Sequence, residues 1–101
     1  MNIVIHPQLH GYLNSLDEPT RVETRHLISL LREYGHQLRL PHSRALGRGL
    51  FELRGRAKSQ VRIYYCYQDQ FAVLLNVHIK KTQKIPNHII KLARSRLQSL
   101  T

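Results

Sequence analysis

The sequence predicts a small α+β protein in which a twisted antiparallel sheet packs with two N-terminal helices and one C-terminal helix. Apolar residues recur every three or four positions before residue 35, alternate with polar residues from 49 to 79, and return to helical spacing after Pro86. With 101 residues and 42% hydrophobic content, the chain has enough apolar side chains for one modest core. We therefore expect residues 1–101 to form a single domain.

The N-terminal third is predicted to hold a short strand and two helices. The β-branched run from Asn2 to Ile5 indicates the strand. The first helix has apolar residues at i, i+3, i+4 and i+7 spacing, namely Leu9, Tyr12, Leu13 and Leu16. Capping-box spacing from Ser15 to Glu18, with Asp17 as an alternative N-cap, indicates the start of the second helix, and Gly35 is expected to end it. The predicted buried side of this helix consists of Leu27, Leu30, Leu31 and Tyr34.

The second half is predicted to form a β-meander followed by a helix. The segment from Gln37 to Gly49 is predicted to be a loop, and the three strand candidates after it are Gly49–Arg54, Val61–Tyr67 and Phe71–Ile79. Their short links favour antiparallel pairing. Pro86 is expected to open the last helix, since proline is tolerated in a first turn. The predicted inner face of this helix is Ile89, Ile90, Ala93, Leu97 and Leu100, and its outer face carries Lys91, Arg94 and Arg96.

Side-chain alternation predicts one apolar and one polar face for the sheet. The apolar face is expected to hold Val61, Ile63, Tyr65 and Tyr67 of the second strand with Val73, Leu75, Val77 and Ile79 of the third. The polar face is expected to be open to water and to display Glu52, Arg54, Arg62, Tyr64, Asn76, His78 and Lys80. Alternation alone also fits an ordinary solvated surface. However, such surfaces usually balance their charges, whereas this one is mostly cations and hydrogen-bond donors and includes His and Tyr.

Charge is divided unequally along the chain. Residues 1–38 contain three arginines and four acidic residues, a net charge of −1, whereas residues 39–101 contain thirteen Lys and Arg against two acidic residues, a net charge of +11. A surface this cationic favours a polyanionic partner, and nucleic acid is the first to consider. The run Lys80-Lys81-Thr82-Gln83-Lys84 adds further cations at the edge of the polar face.

Several other chemistries lack the residues that they need. The single cysteine, Cys66, excludes an internal disulfide and suits a reducing cytoplasm, where we expect the protein to act. The N-terminus has no signal-peptide pattern and no apolar run approaches the ~20 residues of a membrane span, so we expect no membrane partner. The seven histidines form no His-Glu-x-x-His motif, and Gly47-Arg48-Gly49 is too short to indicate a nucleotide-binding loop. We therefore expect neither a metal site nor a cofactor.

Five segments of the basic half occur in the order and spacing of one known family. They are Gly49-Leu-Phe-Glu-Leu-Arg54, Val61-Arg-Ile-Tyr-Tyr65, Leu74-Leu75, Ile79-Lys-Lys-Thr-Gln-Lys-Ile-Pro86, and Ile90 through Ala93 to Arg96. Over residues 40–97 the chain resembles HigB-type toxins, in the phage-derived branch of the RelE superfamily, with a departure at His78, where relatives often have Phe. The resemblance implies a RelE-like fold and a type II toxin that cleaves mRNA on the translating ribosome. It also implies a cognate antitoxin, often a helix-turn-helix protein.

The reaction that the resemblance implies is metal-independent attack of a ribose 2′-OH on the adjacent phosphate. Arg54 and Arg62 suit stabilisation of the phosphorane, because a guanidinium offers paired donors to phosphate oxygens. Lys80 or Lys81 is expected to act as the base if other cations crowd it and favour its neutral amine. His78 is the alternative base, since the ordinary pKa of histidine is about 6.5.

Two further roles are assigned to the basic half. Tyr64 is expected to stack on a base or to supply a proton, with Tyr65 as the less favoured alternative. The cations expected to bind RNA outside the reacting centre are Arg48, Arg56, Lys58, Lys84, Lys91, Arg94 and Arg96. Two other interpretations stay open, a non-catalytic basic module that binds nucleic acid and an interaction protein of a prophage.

Overall fold

The computed structural model describes residues 1–81 and 84–100, so Thr82 and Gln83 of the cationic run lie outside the described residues. In chain order the elements are β1 (Asn2–Ile5), a 3-10 turn (Pro7–Leu9), α1 (His10–Asn14), α2 (Glu18–Tyr34), a second 3-10 turn (Gly35–Gln37), β2 (Ser43–Gly47), β3 (Leu50–Arg54), β4 (Val61–Gln68), β5 (Phe71–Ile79) and α3 (Asn87–Gln98). The strands form one mixed sheet in the order β1-β5-β4-β3-β2, in which β1 runs parallel to β5 and the other pairs are antiparallel. The predicted α+β class is confirmed, and the architecture is consistent with a small RelE-like fold.

The N-terminal helices begin and end at the residues that local chemistry favours. The predicted first helix is a 3-10 turn opened by Pro7, continued by only five residues of α1. Asp17 has the extended backbone of an N-cap and directly precedes α2, so the alternative start of this helix is the correct one. Gly35 ends α2 with a φ of 53°, a left-handed conformation that favours glycine. Tyr34 was expected to be buried, but its position in the last turn leaves it 47% exposed.

One strand lies within the segment that was predicted to be a loop. Ser43–Gly47 pairs with β3 as the antiparallel edge strand β2, so the loop prediction for Gln37–Gly49 is wrong over these five residues. The turn between the two strands is Gly47-Arg48-Gly49, where φ takes the positive values 92°, 51° and 82°. The two glycines therefore serve a tight hairpin turn. An edge strand with few apolar residues is stabilised mainly by pairing, which its own sequence does not reveal.

Helices cover both faces of the sheet, so the prediction of a face open to water is wrong. The α2 side of the sheet buries a cluster that contains Leu27, Leu31, Leu53, Ile63, Tyr65 and Leu74. The α3 side buries a second cluster that contains Leu50, Tyr64, Cys66, Leu75 and Ala93, with Ile89, Ile90 and Leu97 packed against it. Four members of the predicted polar face are buried, namely Glu52, Arg62, Tyr64 and Asn76. The α3 helix packs over Tyr64 and Asn76, whereas Arg62 donates to Gly55 and Gln60 in the link between β3 and β4.

A bulge between β4 and β5 changes which residues of β5 share a face. Tyr64 lies opposite Asn76, but its neighbour Tyr65 lies opposite Leu74, so one residue of β5 is skipped. On one side of this shift Val77 packs in the α2 cluster, and on the other side Val73 and Leu75 pack in the α3 cluster. The predicted apolar set Val73, Leu75, Val77 and Ile79 is therefore divided between the two faces. Period-two alternation predicts faces correctly only where the register is unbroken.

Candidate functional site

Three predicted catalytic residues form a row across one end of the sheet. Arg54 is the last residue of β3 and lies opposite Arg62 of β4, which lies opposite His78 of β5. Directly opposite side chains on one face of an antiparallel pair have Cβ atoms about 5 Å apart. The register therefore gathers two guanidinium groups and an imidazole from residues that are 24 positions apart in sequence.

Two of these residues line a cationic cleft. The cleft has a volume of about 350 Å³ and is lined by Pro41, Arg54, Gly55, Arg56, Gln60 and Arg62. All three of its charged lining residues are arginines. Guanidinium groups attract and hydrogen-bond the oxygens of a phosphate, so the cleft is a candidate site for a phosphodiester.

Arg62 is held rigidly at the base of this cleft. Its side chain is 5% exposed, and Nη1 donates to the carbonyl oxygens of Gly55 and Val61, both at 3.0 Å. Nη2 donates to Oε1 of Gln60 at 3.3 Å. Burial lowers the pKa of Arg62 although the Glu52 carboxylate opposes the shift, yet an arginine in a protein stays protonated. The structure therefore provides a preorganised positive charge.

The buried carboxylate of Glu52 contacts the side chains of three neighbouring residues, one of which is Arg54 of the row. It is 3% exposed, and Oε1 lies 3.7 Å from Nε of Arg54 and 3.6 Å from Nη2 of Arg44. The Tyr64 hydroxyl donates to Oε2 of Glu52 at 3.1 Å. Glu52 was placed on the polar face but given no role. The available signal was an acid two residues before Arg54, on the same strand face, in a half of the chain that contains only two acidic residues.

Tyr64 is buried completely, contrary to its expected exposure on the sheet. Burial and the neighbouring Glu52 carboxylate raise the pKa of Tyr64 far above the ordinary value of tyrosine, so the phenol stays protonated. Its hydroxyl donates a hydrogen bond to Glu52, and the same carboxylate pairs with Arg54. Tyr64 therefore acts on Arg54 only indirectly, by orienting Glu52. Tyr65 is also fully buried, on the opposite face, where its hydroxyl pairs with that of Ser43 at 2.5 Å.

A second, larger cavity contains His78 and Lys81. It has a volume of about 660 Å³ and is lined by Tyr12, Ser15, Leu16, Asp17, Thr20, His78, Ile79, Lys81 and Pro86. Burial lowers the pKa of His78, and electrostatic repulsion from His88, Lys81 and Arg62 lowers it further. A histidine in this setting is neutral near pH 7 and can accept a proton. Lys80 is half-buried, and its backbone N–H donates to the carbonyl of Gln60, beside the arginine cleft.

The predicted RNA-binding cations differ in how exposed their side chains are. The exposed ones are Arg48, Arg56, Lys58, Lys84 and Lys91. Arg94 instead donates from both Nη atoms, at 3.1 Å each, to the carbonyl oxygens of Gly47 and Leu46, and Arg96 donates from Nη1 to that of Leu75 at 2.7 Å. These two arginines were assigned to the outer face of α3, but they are half-buried and fasten the helix to the sheet.

The described residues offer little to other chemistries. Within 1–81 and 84–100, no group of three His, Cys, Asp or Glu side chains is arranged to hold a metal ion. Burial raises the pKa of the Cys66 thiol and so disfavours the reactive thiolate. Among the described helices, none has the length and apolar content that a membrane crossing requires.

A comparison with protein families identifies the chain at the level of its family. The profile described as "Phage derived protein Gp49-like (DUF891)" matches residues 11–98. The match includes α2 and all of α1 after His10, which the resemblance over residues 40–97 did not cover. No curated protein matches the chain at a significant level. The chain therefore belongs to the phage-derived Gp49-like family, which includes RelE-like toxins of toxin–antitoxin systems.

Proposed function

We propose that this protein is the toxin of a type II toxin–antitoxin pair and cuts mRNA on the ribosome. The observation that carries the proposal is the row of Arg54, Arg62 and His78, in which two guanidinium groups, one of them buried and hydrogen-bonded, stand beside a histidine that is neutral near pH 7. Membership of the Gp49-like family is compatible with this activity. We place the action in the cytoplasm, where the ribosomes are.

The proposed reaction needs a base, a charge stabiliser and an acid. His78 takes the proton of the ribose 2′-OH as O2′ bonds to phosphorus, and Arg54 and Arg62 stabilise the added charge on the phosphorane oxygens. The bond between phosphorus and O5′ then breaks, and Lys81 or the imidazolium of His78 protonates the leaving oxygen. The products are a 2′,3′-cyclic phosphate and a 5′-OH end. Tyr64 takes no direct part and supports Arg54 through Glu52.

The surface cations have a second task in this proposal. Arg48 and Arg56 lie in exposed turns of the sheet, and Lys58, Lys84 and Lys91 are also exposed. We propose that they contact ribosomal RNA, which makes binding weaken steeply as salt rises. A helix-turn-helix antitoxin is the proposed partner that neutralises the toxin.

A reconstituted translation reaction tests the proposal by mapping the cut ends of a defined message, with and without ribosomes. Wild-type protein should cut only ribosome-bound message. Arg54→Ala should slow cutting by about 10²–10³-fold, because a donor to the developing oxyanion is lost. Arg25→Ala removes an exposed arginine of α2 that lines neither the arginine cleft nor the His78 cavity, and should cut at the wild-type rate. Undiminished cutting by both Arg54→Ala and Arg62→Ala would show that the site lies elsewhere.

The identity of the base is tested by restoring the residue that relatives often have. His78→Phe should lose most cutting while it still binds ribosomes, if the imidazole takes the 2′-OH proton. Retained cutting in His78→Phe, combined with loss in Lys80→Ala or Lys81→Ala, would assign the base to a lysine. RNA binding without cutting or growth arrest by the wild type would favour the non-catalytic module.

A further inference from the structure

We propose that the larger cavity binds a nucleobase next to the scissile phosphate and that it prefers guanine. The inference rests on the proposed function, because His78 in the cavity wall is the proposed base. It adds a role for the N-terminal elements, which the charge pattern and the motifs left without one.

The cavity lies between the reacting end of the sheet and the start of the helical layer. His78, Ile79 and Lys81 line it from β5 and the residues after it, whereas Tyr12, Ser15 and Leu16 line it from α1 and the link to α2. Its volume of about 660 Å³ falls in the usual range of small-molecule sites, about 300–1,000 Å³. His78 also lies opposite Arg62. The base of a nucleotide whose phosphate binds the arginines can therefore reach this cavity.

The walls offer a base both stacking and apolar contact. The ring of Tyr12 is 40% exposed while burial raises the pKa of its phenol, so the ring is a neutral aromatic surface that a ligand can cover. Leu16, Ile79 and Pro86 supply apolar walls. Single-stranded RNA is commonly read in this way, by stacking unpaired bases on aromatic side chains and binding their Watson–Crick edges.

Asp17 gives the cavity its preference. It is an acid on a protein of net charge +10, and its carboxylate makes no capping hydrogen bond to the helix that it precedes. A carboxylate accepts two hydrogen bonds side by side. The Watson–Crick edge of guanine presents two adjacent donors, N1–H and the 2-amino group. The corresponding edge of adenine pairs one donor with an acceptor, which repels a carboxylate oxygen.

Maps of cut sites on messages of mixed sequence test the preference. Wild-type protein should cut mainly beside guanine, and Asp17→Asn should lower that preference by about 10-fold and raise cutting beside adenine, because an amide offers one donor and one acceptor. Asparagine remains a good N-cap, so α2 should be preserved. Asp69→Asn is the matched control, since it makes the same charge change in the β4–β5 turn. Equal preferences for the Asp17→Asn and Asp69→Asn proteins would overturn the inference.

A binding measurement separates this inference from the nuclease itself. The probes are dinucleotides with a 2′-deoxy sugar at the scissile position, which cannot be cut, followed by amide chemical shifts in NMR titrations. The guanine probe should bind more tightly than the adenine probe, and Tyr12→Ala should weaken binding by about 10-fold. Tyr34→Ala, which truncates another exposed tyrosine, should bind normally.

The two proposals can fail separately. If the wild type binds the guanine probe through Asp17 and Tyr12 but never cuts message, the base site stands and the nuclease proposal fails. If the wild type cuts message and the Asp17→Asn and Tyr12→Ala proteins bind and cut like their controls, the base site fails and the nuclease proposal stands.

Discussion

Glu52→Ala should destabilise the protein strongly, because this carboxylate is the buried partner of three other groups. Its Oε2 accepts from the Tyr64 hydroxyl at 3.1 Å, and Tyr64 is completely buried. A buried hydroxyl left without an acceptor costs about 1–3 kcal/mol. The ion pairs to Arg44 and Arg54 add at most about 1 kcal/mol, since these arginine side chains are 52% and 35% exposed. The free energy of unfolding should therefore fall by about 1–4 kcal/mol.

Urea unfolding followed by far-UV circular dichroism measures this change. A loss of that size is a large part of the ~5–15 kcal/mol that stabilises a typical domain. Glu52→Gln keeps an oxygen for Tyr64 and should lose only about 1 kcal/mol. Glu33→Ala is the matched control, because it removes an exposed acid near the end of α2 and should leave stability almost unchanged.

A double variant shows whether the unpaired hydroxyl causes the loss. Adding Tyr64→Phe to Glu52→Ala removes the donor that was left without a partner, so the double variant should be more stable than Glu52→Ala alone. The reasoning is refuted if Glu52→Ala costs no more than Glu33→Ala, or if Tyr64→Phe lowers stability further in the Glu52→Ala background.

Two further predictions concern α3 and the histidines. Arg94→Ala should lower the free energy of unfolding by about 1–2 kcal/mol in the same urea assay, because the carbonyls of Gly47 and Leu46 lose the hydrogen bonds that Arg94 donates. An unchanged unfolding midpoint would show that Arg94 does not hold α3 on the sheet. Burial lowers the pKa of both His78 and His6 below the unfolded value, so the unfolded chain binds more protons than the folded one. The free energy of unfolding should therefore rise with pH up to about 7 and then level off. His78→Gln should flatten part of this rise, and a pH profile identical to that of the wild type would contradict the assignment.

The helices and the three strands of the meander were predictable because each carries its own periodic apolar pattern. Leu27 and Leu31 in α2, and Ile63 in β4, are buried as their spacing indicates. The edge strand β2 was missed, because strand pairing stabilises it and its own sequence has little alternation. The bulge after Tyr64 was missed for a related reason, since a skipped residue in the register leaves no mark in the sequence of either strand.

The candidate site was likewise predicted in part and missed in part. Arg54, Arg62 and His78 were assigned to one face of the sheet from strand parity, and the register between the strands shows that they are direct neighbours in one row. The burial of Arg62 and the role of Glu52 were not predictable, because they depend on side-chain contacts with the link between β3 and β4 and with Tyr64 on the neighbouring strand. The contribution of Tyr12 and Asp17 to the His78 cavity was also missed, since these residues lie more than 60 positions away in sequence.

The sequence by itself determined the fold class, the division of charge and the identities of the cationic residues, because periodicity and composition are local properties of the chain. The tertiary structure decided the surroundings of those cations. Arg62 donates to backbone carbonyls and also lines a cleft, whereas Arg94 joins α3 to the turn after β2. The physical reason is that burial and hydrogen bonding depend on contacts between distant segments. The link between β3 and β4, which accepts hydrogen bonds from Arg62 at Gly55 and Gln60, therefore makes Arg62 a rigid cation beside His78.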